Sequence, residues 1–244
     1  MENKILHGDS LDLLKDMDDN SVDMILTDLP YFRVVGDDWD NQWETENDYF
    51  DWLEKLIEEY DRILKNNSNL FLFSGRQYNR YLNLILDKYF IEKRIIIWAR
   101  KRMYNSTRGN ALSSGYEPIS FYSKGDNPIF NKIKVLPTRE DLRKRYEKHS
   151  YLKDGVALSD VWDDIPALPY NSKEKLNHSS QKPLKLIERI IKIGSNENDV
   201  VLDSCAGVLT TAEACENLNR KYICIEINDK YIKQGKGRLD EISK

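Results

Sequence analysis

The sequence predicts an α/β protein built on a mostly parallel sheet of seven strands, with helices on both faces. Three observations lead there. Short runs rich in Val, Ile, Leu and Phe alternate with amphipathic stretches along the 244 residues, which is the rhythm of βα units. One such run, Val200-Val201-Leu202-Asp203, passes through Ser204-Cys205-Ala206-Gly207 into a helical stretch, a strand entering a tight glycine loop. No internal repeat or low-complexity segment breaks the pattern.

Taken in order, Lys4 to His7 is a short apolar run leading into Gly8-Asp9-Ser10, and a first helix is expected over Leu11 to Met17. Val22 to Thr27 reads as a buried strand, and Tyr49 to Leu64 carries apolar residues at three-to-four spacing, a helix. Leu70 to Phe73 is the next strand and Gln77 to Lys88 the next helix; Ile95 to Ala99 and Ile119 to Tyr122 are strands with no helix between them. A helix over Leu184 to Ile193 is opened by Pro183 and closed by Gly194. Val200 to Leu202, a helix over Thr210 to Leu218, Tyr222 to Glu226 and a last helix over Asp229 to Ile242 complete the alternation. Two stretches fall outside it: Asn105 to Gly115, rich in Ser, Gly and Asn, reads as a loop, and Gly125 to Ser159, polar and basic, as an insertion into an otherwise single domain spanning 1–244.

A chain of this length with 40% hydrophobic residues can bury one full core. It has no signal-like start and no run of about 18 apolar residues, so a cytoplasmic protein without membrane attachment is expected. Cys205, Cys215 and Cys224 lack ligand spacing, so free thiols are expected, with neither disulfide framework nor metal site. The net charge of -4 argues weakly against nucleic acid, but its distribution matters more. Asp37 to Asp61 holds eleven carboxylates against Lys55, whereas Glu92 to Arg108 carries six Lys/Arg, including Arg100, Lys101, Arg102 and Arg108. Lys132 to Lys153 holds eight Lys/Arg against three acids, among them Arg143, Lys144 and Arg145, interleaved with Tyr146, His149 and Tyr151. Those two basic runs have the composition of a phosphate-tracking surface, and a solvated face is the competing reading for each.

Three local constellations carry chemistry. Asp28-Leu29-Pro30-Tyr31 directly follows a buried strand, where α/β sheets place ligand-handling residues. An ordinary turn explains Asp and Pro but not Tyr31. Chemically, an aromatic exocyclic amino group is a poor nucleophile until acceptors hold its hydrogens, and Asp28 with a neighbouring backbone carbonyl supplies two. The loop from Asp203 to Gly207 is the second constellation, with Glu226 standing 23 residues beyond Asp203 at the end of the next strand, where a ribose-binding acid belongs. Its single glycine disfavours a pyrophosphate ligand and suits a nucleoside without phosphates; a structural βαβ turn with a surface Glu is the alternative. The third, His178-Ser179-Ser180-Gln181-Lys182-Pro183, precedes a helix and reads equally as an N-terminal cap.

Together these residues resemble the β-class DNA amino-methyltransferases of bacteria and phages, over nearly the whole chain. Asp28-Leu29-Pro30-Tyr31 is similar to the family's D-P-P-Y, His178 to Pro183 to its H-P-T-Q-K-P, and Asp203 to Thr211 to its D-P-F-A-G-S-G-T-T. Gly8-Asp9-Ser10 looks like the family's opening, and Trp39-Asp40, Tyr116-Glu117-Pro118 and Asp160-Val161-Trp162 match in order between the first two of these motifs. The resemblance implies a Rossmann-like methyltransferase fold in the circularly permuted β-class order, with catalytic part first and cofactor loop last. It implies a site-specific methyltransferase using S-adenosylmethionine on the exocyclic amino group of adenine in double-stranded DNA. Rival readings are the cytosine amino group and a non-catalytic cofactor- or DNA-binding subunit. By the resemblance, Asp28, Leu29, Pro30 and Tyr31 face an extruded base. Asp9, Asp28, Gln181, Lys182, Asp203, Cys205, Ala206, Gly207 and Glu226 line the cofactor site, with Asp9 near the adenine, Glu226 on the ribose and Lys182 toward the methionyl carboxylate. The segment 125–159 takes the place of the target-recognition region, and its shortness suggests a homodimer. Leu29 replaces the family's first proline, and Ser204, Cys205, Val208 and Leu209 replace Pro, Phe, Ser and Gly. Leu209 cannot adopt positive φ cheaply, so weaker than usual cofactor affinity is expected.

Overall fold

In the computed structural model, residues 3–100, 114–136, 144 and 155–242 are described. Ten strands and six helices follow in chain order among them. They are β1 (Lys4–His7), α1 (Ser10–Lys15), β2 (Val22–Asp28), α2 (Glu46–Ile63), β3 (Leu64–Phe73), α3 (Asn79–Leu86), β4 (Ile91–Ala99) and β5 (Tyr116–Lys124). After them come β6 (Lys134–Val135), β7 (Val156–Ala157), β8 (Val161–Trp162), α4 (Leu184–Gly194), β9 (Val200–Asp203), α5 (Thr210–Asn217), β10 (Lys221–Glu226) and α6 (Asp229–Ile242).

Eight strands form one sheet in the order β1-β10-β9-β2-β3-β5-β4-β8. All seven expected strands belong to it; the eighth, β8, adds two residues beside β4, too few to leave a periodic signal. Only β5 runs against its neighbours, pairing antiparallel with both β3 and β4. β3 begins at Leu64 and β4 at Ile91, several residues before the apolar runs, because the residues between, 65–69 and 92–94, are polar and leave no apolar signal.

Alternate residues of the central strands serve opposite faces, as a period of two requires. Ile25, Leu70 and Leu72 join one core with Leu53, Leu56 and Ile57 of α2 and Leu82 of α3. Met24, Leu26, Phe71 and Phe73 join the other with Ile187, Ile190 and Ile191 of α4 and Ala212 of α5. α2 is started by a capping box in which Thr45 and Asp48 exchange hydrogen bonds, so its acidic first turn also complements the helix dipole. Much of the acidic run on this helix is absorbed in contacts: Glu54 with Lys88, Glu58 with the Tyr89 hydroxyl, Glu59 with Arg62.

The crossover from β2 through α2 to β3 lies on one face, and that from β9 through α5 to β10 on the other. The chain therefore changes direction between β9 and β2, and a crevice opens over the carboxyl ends of these strands. Asp28, Asp203 and Glu226 are the last residues of β2, β9 and β10.

The expected insertion 125–159 is described only in part. Asn69 Nδ2 donates to the Ile129 carbonyl at 2.7 Å and to Gly194 O at 3.0 Å. Asn131 Nδ2 donates to Ser195 O at 2.9 Å, so residues 129–131 are stitched to β3 and the end of α4. β6 and β7 pair antiparallel and close the base of the segment. Most of the expected loop 105–115 lies outside the described residues.

Candidate functional site

Two adjoining lobes of empty space, about 400 Å³ and about 590 Å³, lie over the switch point. Asp28, His178, Ser180 and Cys205 line both. Asp203, Gln181, Lys182, Ala206 and Gly207 border the first lobe, and Asp9, Pro30, Trp39, Glu226 and Tyr231 the second. The structure thus brings together all nine expected cofactor residues, from segments as far apart as residues 9 and 226.

Glu226 is buried, and its carboxylate accepts from the backbone N–H of Gly207 at 2.7 Å and of Asn228 at 2.8 Å. Burial pushes it up to about 7 despite those bonds. Asp203 accepts from Thr27 Oγ1 at 2.8 Å and from Thr211 Oγ1, and burial raises it to about 6. Neither threonine was singled out in the sequence: Thr27 precedes Asp28, and Thr211, in the first turn of α5, was visible only as the end of a motif match. Gly207 takes φ +51°, and a Cβ there would come within 3.0 Å of His178 Nε2. The His178 ring stacks on Trp39 at 5.7 Å and meets Tyr231 edge-on at 4.5 Å. Desolvation lowers it to about 4, so it is a neutral wall between the lobes at physiological pH.

Asp9 caps α1 by accepting from Asp12 N at 3.3 Å and keeps a face toward the second lobe. Gln181 is buried, with its side-chain amide spent on Leu176 N at 2.7 Å and Glu174 O at 2.9 Å; it shapes the wall through the 174–176 turn. Leu209 adopts φ +62°, the left-handed conformation that the family's glycine would take without strain. The loop keeps its shape because the leucine side chain is buried over Gly235 of α6, where a Cβ would lie 2.5 Å from Leu209 Cγ.

The Asp28 carboxylate sits at the wall shared by the lobes. Its Oδ1 accepts from the Tyr31 hydroxyl at 2.6 Å, and its Oδ2 from Lys182 Nζ. Lys182 also donates to Tyr31 Oη at 2.9 Å, and Glu117 Oε2 lies 3.3 Å from the ammonium. Burial raises the Asp28 carboxyl above the ordinary carboxylate range, partly opposed by Lys182. Burial alone would lower Lys182, but Asp28 and Glu117 together overcome it and raise it. The Tyr49 hydroxyl donates to the Pro30 carbonyl at 2.7 Å, and the buried Leu29 is held to β3 by its N–H, which donates to Phe73 O at 3.2 Å.

The loop after Pro30 is held by a residue that the sequence offered only as part of a motif match. Asp40, fully buried, accepts from the backbone N–H of Tyr31, from Val34 N at 2.7 Å and from Val35 N at 2.6 Å. Its own carbonyl accepts from Arg33 N at 2.9 Å. Phe32 and Arg33 sit at φ +53° and +57°, a left-handed pair that these bonds impose.

Of the expected DNA contacts, Arg100 is described. Its guanidinium bonds Glu117 Oε1 at 2.9 Å and Ser114 O at 3.0 Å, while it also borders a wide polar groove with Tyr170, Lys175 and Lys230. Lys144 is exposed. Lys101, Arg102, Arg108, Arg143 and Arg145 lie outside the described residues. Cys205 is half-buried, Cys215 and Cys224 are buried, and all three are free thiols. Among the described residues no cluster could hold a metal ion, and no helix is long and apolar enough to cross a membrane.

The fold, with an acid-lined crevice over its switch point and Asp-x-Pro-Tyr at the wall, defines a Rossmann-like methyltransferase. The chain belongs to the DNA methylase family, whose profile matches residues 22–237. It is 36% identical to the DNA adenine methyltransferase YhdJ of Escherichia coli (strain K12), over 98% of this chain and 83% of that one. With the type II methyltransferase M.HpaI of Haemophilus parainfluenzae it shares 31% identity over 98% of this chain and 75% of the relative. Among solved structures, M1.HpyAVI in complex with SAM superposes with a TM-score of 0.67 at 25% identity, covering 97% of this chain and 98% of that one. The PvuII DNA methyltransferase, cytosine-N4-specific, gives 0.74 at 18% identity over 98% and 87%, a likeness of fold.

Proposed function

We propose that this chain methylates the exocyclic amino group of adenine in double-stranded DNA, with S-adenosylmethionine as the methyl donor. The observation that carries the reading is the Asp28 carboxylate, held by Tyr31 and Lys182 at the wall common to both lobes of the crevice.

The crevice fits this donor. Asp9, Asp28, Asp203 and Glu226 line it, which suits a ligand carrying a sulfonium and an ammonium. The N–H groups of the loop are spent within the chain, Cys205 N on Thr27 and Asp203, Ala206 N on Ile225 O and Gly207 N on Glu226, which suits a nucleoside without phosphates. Glu226 and Asp9 would hold the nucleoside in the second lobe, with Trp39 and Tyr231 as its apolar walls. Asp203, Ala206, Gly207 and Lys182 would hold the amino-acid end in the first, with Cys205 between. When bound, the sulfonium supplies an electrophilic methyl carbon.

The rest is the work of the chain's own residues. Asp28 Oδ and the Leu29 carbonyl accept the two amino hydrogens of an extruded adenine and turn the nitrogen lone pair away from the ring. The amine becomes acidic once its bond to carbon forms, and Asp28 then receives its proton. Pro30 and Tyr31 shape the base side of the cleft. Lys101, Arg102 and Arg108, with Arg143, Lys144 and Arg145 of the 125–159 segment, are proposed to track phosphates; Arg100, whose guanidinium is committed to Glu117 and Ser114, borders the groove that leads to the crevice at His178. Adenine is favoured over cytosine by the carboxylate at position 28 and by the similarity to an adenine methyltransferase. The short recognition segment supports a homodimer, which sedimentation velocity tests: a fully active monomer removes it.

Transfer of labelled methyl to duplex DNA, compared with Asp28→Ala, is the test. Labelled adenine with wild type and none with the variant supports the proposal; cofactor and DNA binding without transfer by wild type supports the binding-subunit reading.

A further inference from the structure

Asp28 is not the only carboxylate at the Lys182 ammonium. Glu117 enters from β5, with Oε2 at 3.3 Å from Lys182 Nζ and 3.4 Å from the Tyr31 hydroxyl. Its other oxygen, Oε1, is clamped by Arg100 Nη1 at 2.9 Å, and Arg100 is in turn held by Ser114. The four charges balance, and Lys182 is only 6% exposed. One carboxylate would neutralise one buried lysine, whereas burying a second acid with its own arginine carries a desolvation cost. A part-buried acid carried at that cost, and set against a lysine that Asp28 already neutralises, points to a role in the reaction rather than in the fold.

On the reading of Asp28 given above, we propose that Glu117 is a positioning residue for methyl transfer. Clamped by Arg100, it shares the Lys182 ammonium and takes it up when the amino group of the target base arrives, leaving Asp28 Oδ2 free to accept an amino hydrogen. Both Asp28 oxygens already receive one hydrogen bond, from Tyr31 and from Lys182, so a donor arriving at Oδ2 competes directly with the ammonium. Shortening the Glu117–Lys182 contact to ordinary bond length needs a shift of only about half an ångström. Electrostatics runs the same way: the Glu117 charge adds to burial in raising Asp28 and keeps Lys182 protonated.

Glu117→Gln is the test, read by steady-state kinetics across pH and by ¹⁵N titration of the Lys182 ammonium in the full chain. Expected are a fall in kcat of about tenfold or more, KM for DNA and for S-adenosylmethionine within about twofold, and an acid limb of kcat displaced to lower pH because a negative charge beside Asp28 is gone. Lys182 titrates lower in the variant. Glu117→Asp, which keeps the charge, restores the position of the acid limb. Wild-type kcat and acid limb in Glu117→Gln, or a raised KM for S-adenosylmethionine at unchanged kcat, overturns the proposal. If Glu117→Gln does not fold, Glu117→Asp decides: lowered kcat with an unmoved limb supports the role, and wild-type kcat overturns it. Should the wild-type chain transfer no methyl to DNA, the functional reading fails. The Lys182 titration still reports whether Glu117 shares the ammonium.

Discussion

The ammonium of Lys182 donates to the carboxylate of Asp28 across 154 residues of sequence, tying the segment ahead of α4 to the end of β2. This contact couples the two lobes of the crevice. It also sets the electrostatics of the residue that must accept amino hydrogens, because Lys182 is the main influence opposing burial at Asp28.

Replacing Lys182 by methionine removes that opposing charge. The Asp28 carboxyl rises further, so the acid limb of the kcat profile moves to higher pH, the opposite of the direction expected for Glu117→Gln. Two carboxylates are also left facing each other, and a thermal melt at pH 8 should show a loss on the order of 3 kcal/mol. An unmoved limb would contradict the assignment of the limb to Asp28.

Asp40 should govern rate more than affinity. Asp40→Asn turns an acceptor into a donor among the N–H groups of Tyr31, Val34 and Val35, with a charge-assisted bond worth about 1.5–3 kcal/mol at stake. A fall in kcat of about tenfold to a hundredfold is expected, with the calorimetric Kd for S-adenosylmethionine within about threefold.

Glu226 makes stability depend on pH. Its folded value of about 7 exceeds the ordinary 4.5, so between those values the folded chain holds a proton that the unfolded chain has released. The contribution of Glu226 to stability in the absence of cofactor is fully present below pH 4.5, is lost as pH rises through 7 and levels off above it; Asp203, raised to about 6, adds to the slope at the lower end of that range. Melts of Glu226→Gln should show a shallower slope and a higher Tm than wild type at pH 8. Cofactor affinity should run the other way, tightening from pH 6 to 8 in wild type as Glu226 ionises, and flat in the variant.

Leu209 and Gly235 form a compensating pair. Gly235→Ala places a methyl against the leucine and should destabilise by about 1–3 kcal/mol. Leu209→Gly relieves about 1 kcal/mol of left-handed strain but empties a buried site worth about 2–5 kcal/mol, so it also destabilises. A gain in Tm for Leu209→Gly would show that the strain outweighs the packing.

What could be read from the residues, and what could not, follows from the range of the signals. Buried strands announce themselves because both faces are apolar, and the carboxylates ending β2, β9 and β10 were legible because each closes such a run. The polar stretches near the start of β3 and β4 and the two-residue β8 carry no apolar periodicity and exist through pairing with distant strands. Asp40 and Glu117 were visible only within motif matches, since nothing local distinguishes a buried acid that accepts from a loop, or shares a lysine, from one on a solvated face. Thr27 was missed, and Thr211 visible only as the end of a motif match, for the same reason: their hydroxyls matter only because Asp203 is folded against them. The left-handed Leu209 was legible as a departure, but its remedy on α6 was not.

The most direct measurement is mass spectrometry of nucleosides from duplex DNA incubated with S-adenosylmethionine and either the wild-type chain or Asp28→Ala. The account predicts N6-methyladenine with wild type and a loss of at least about a thousandfold in the variant, with cofactor binding retained. Methylated adenine at wild-type rates from Asp28→Ala would contradict it.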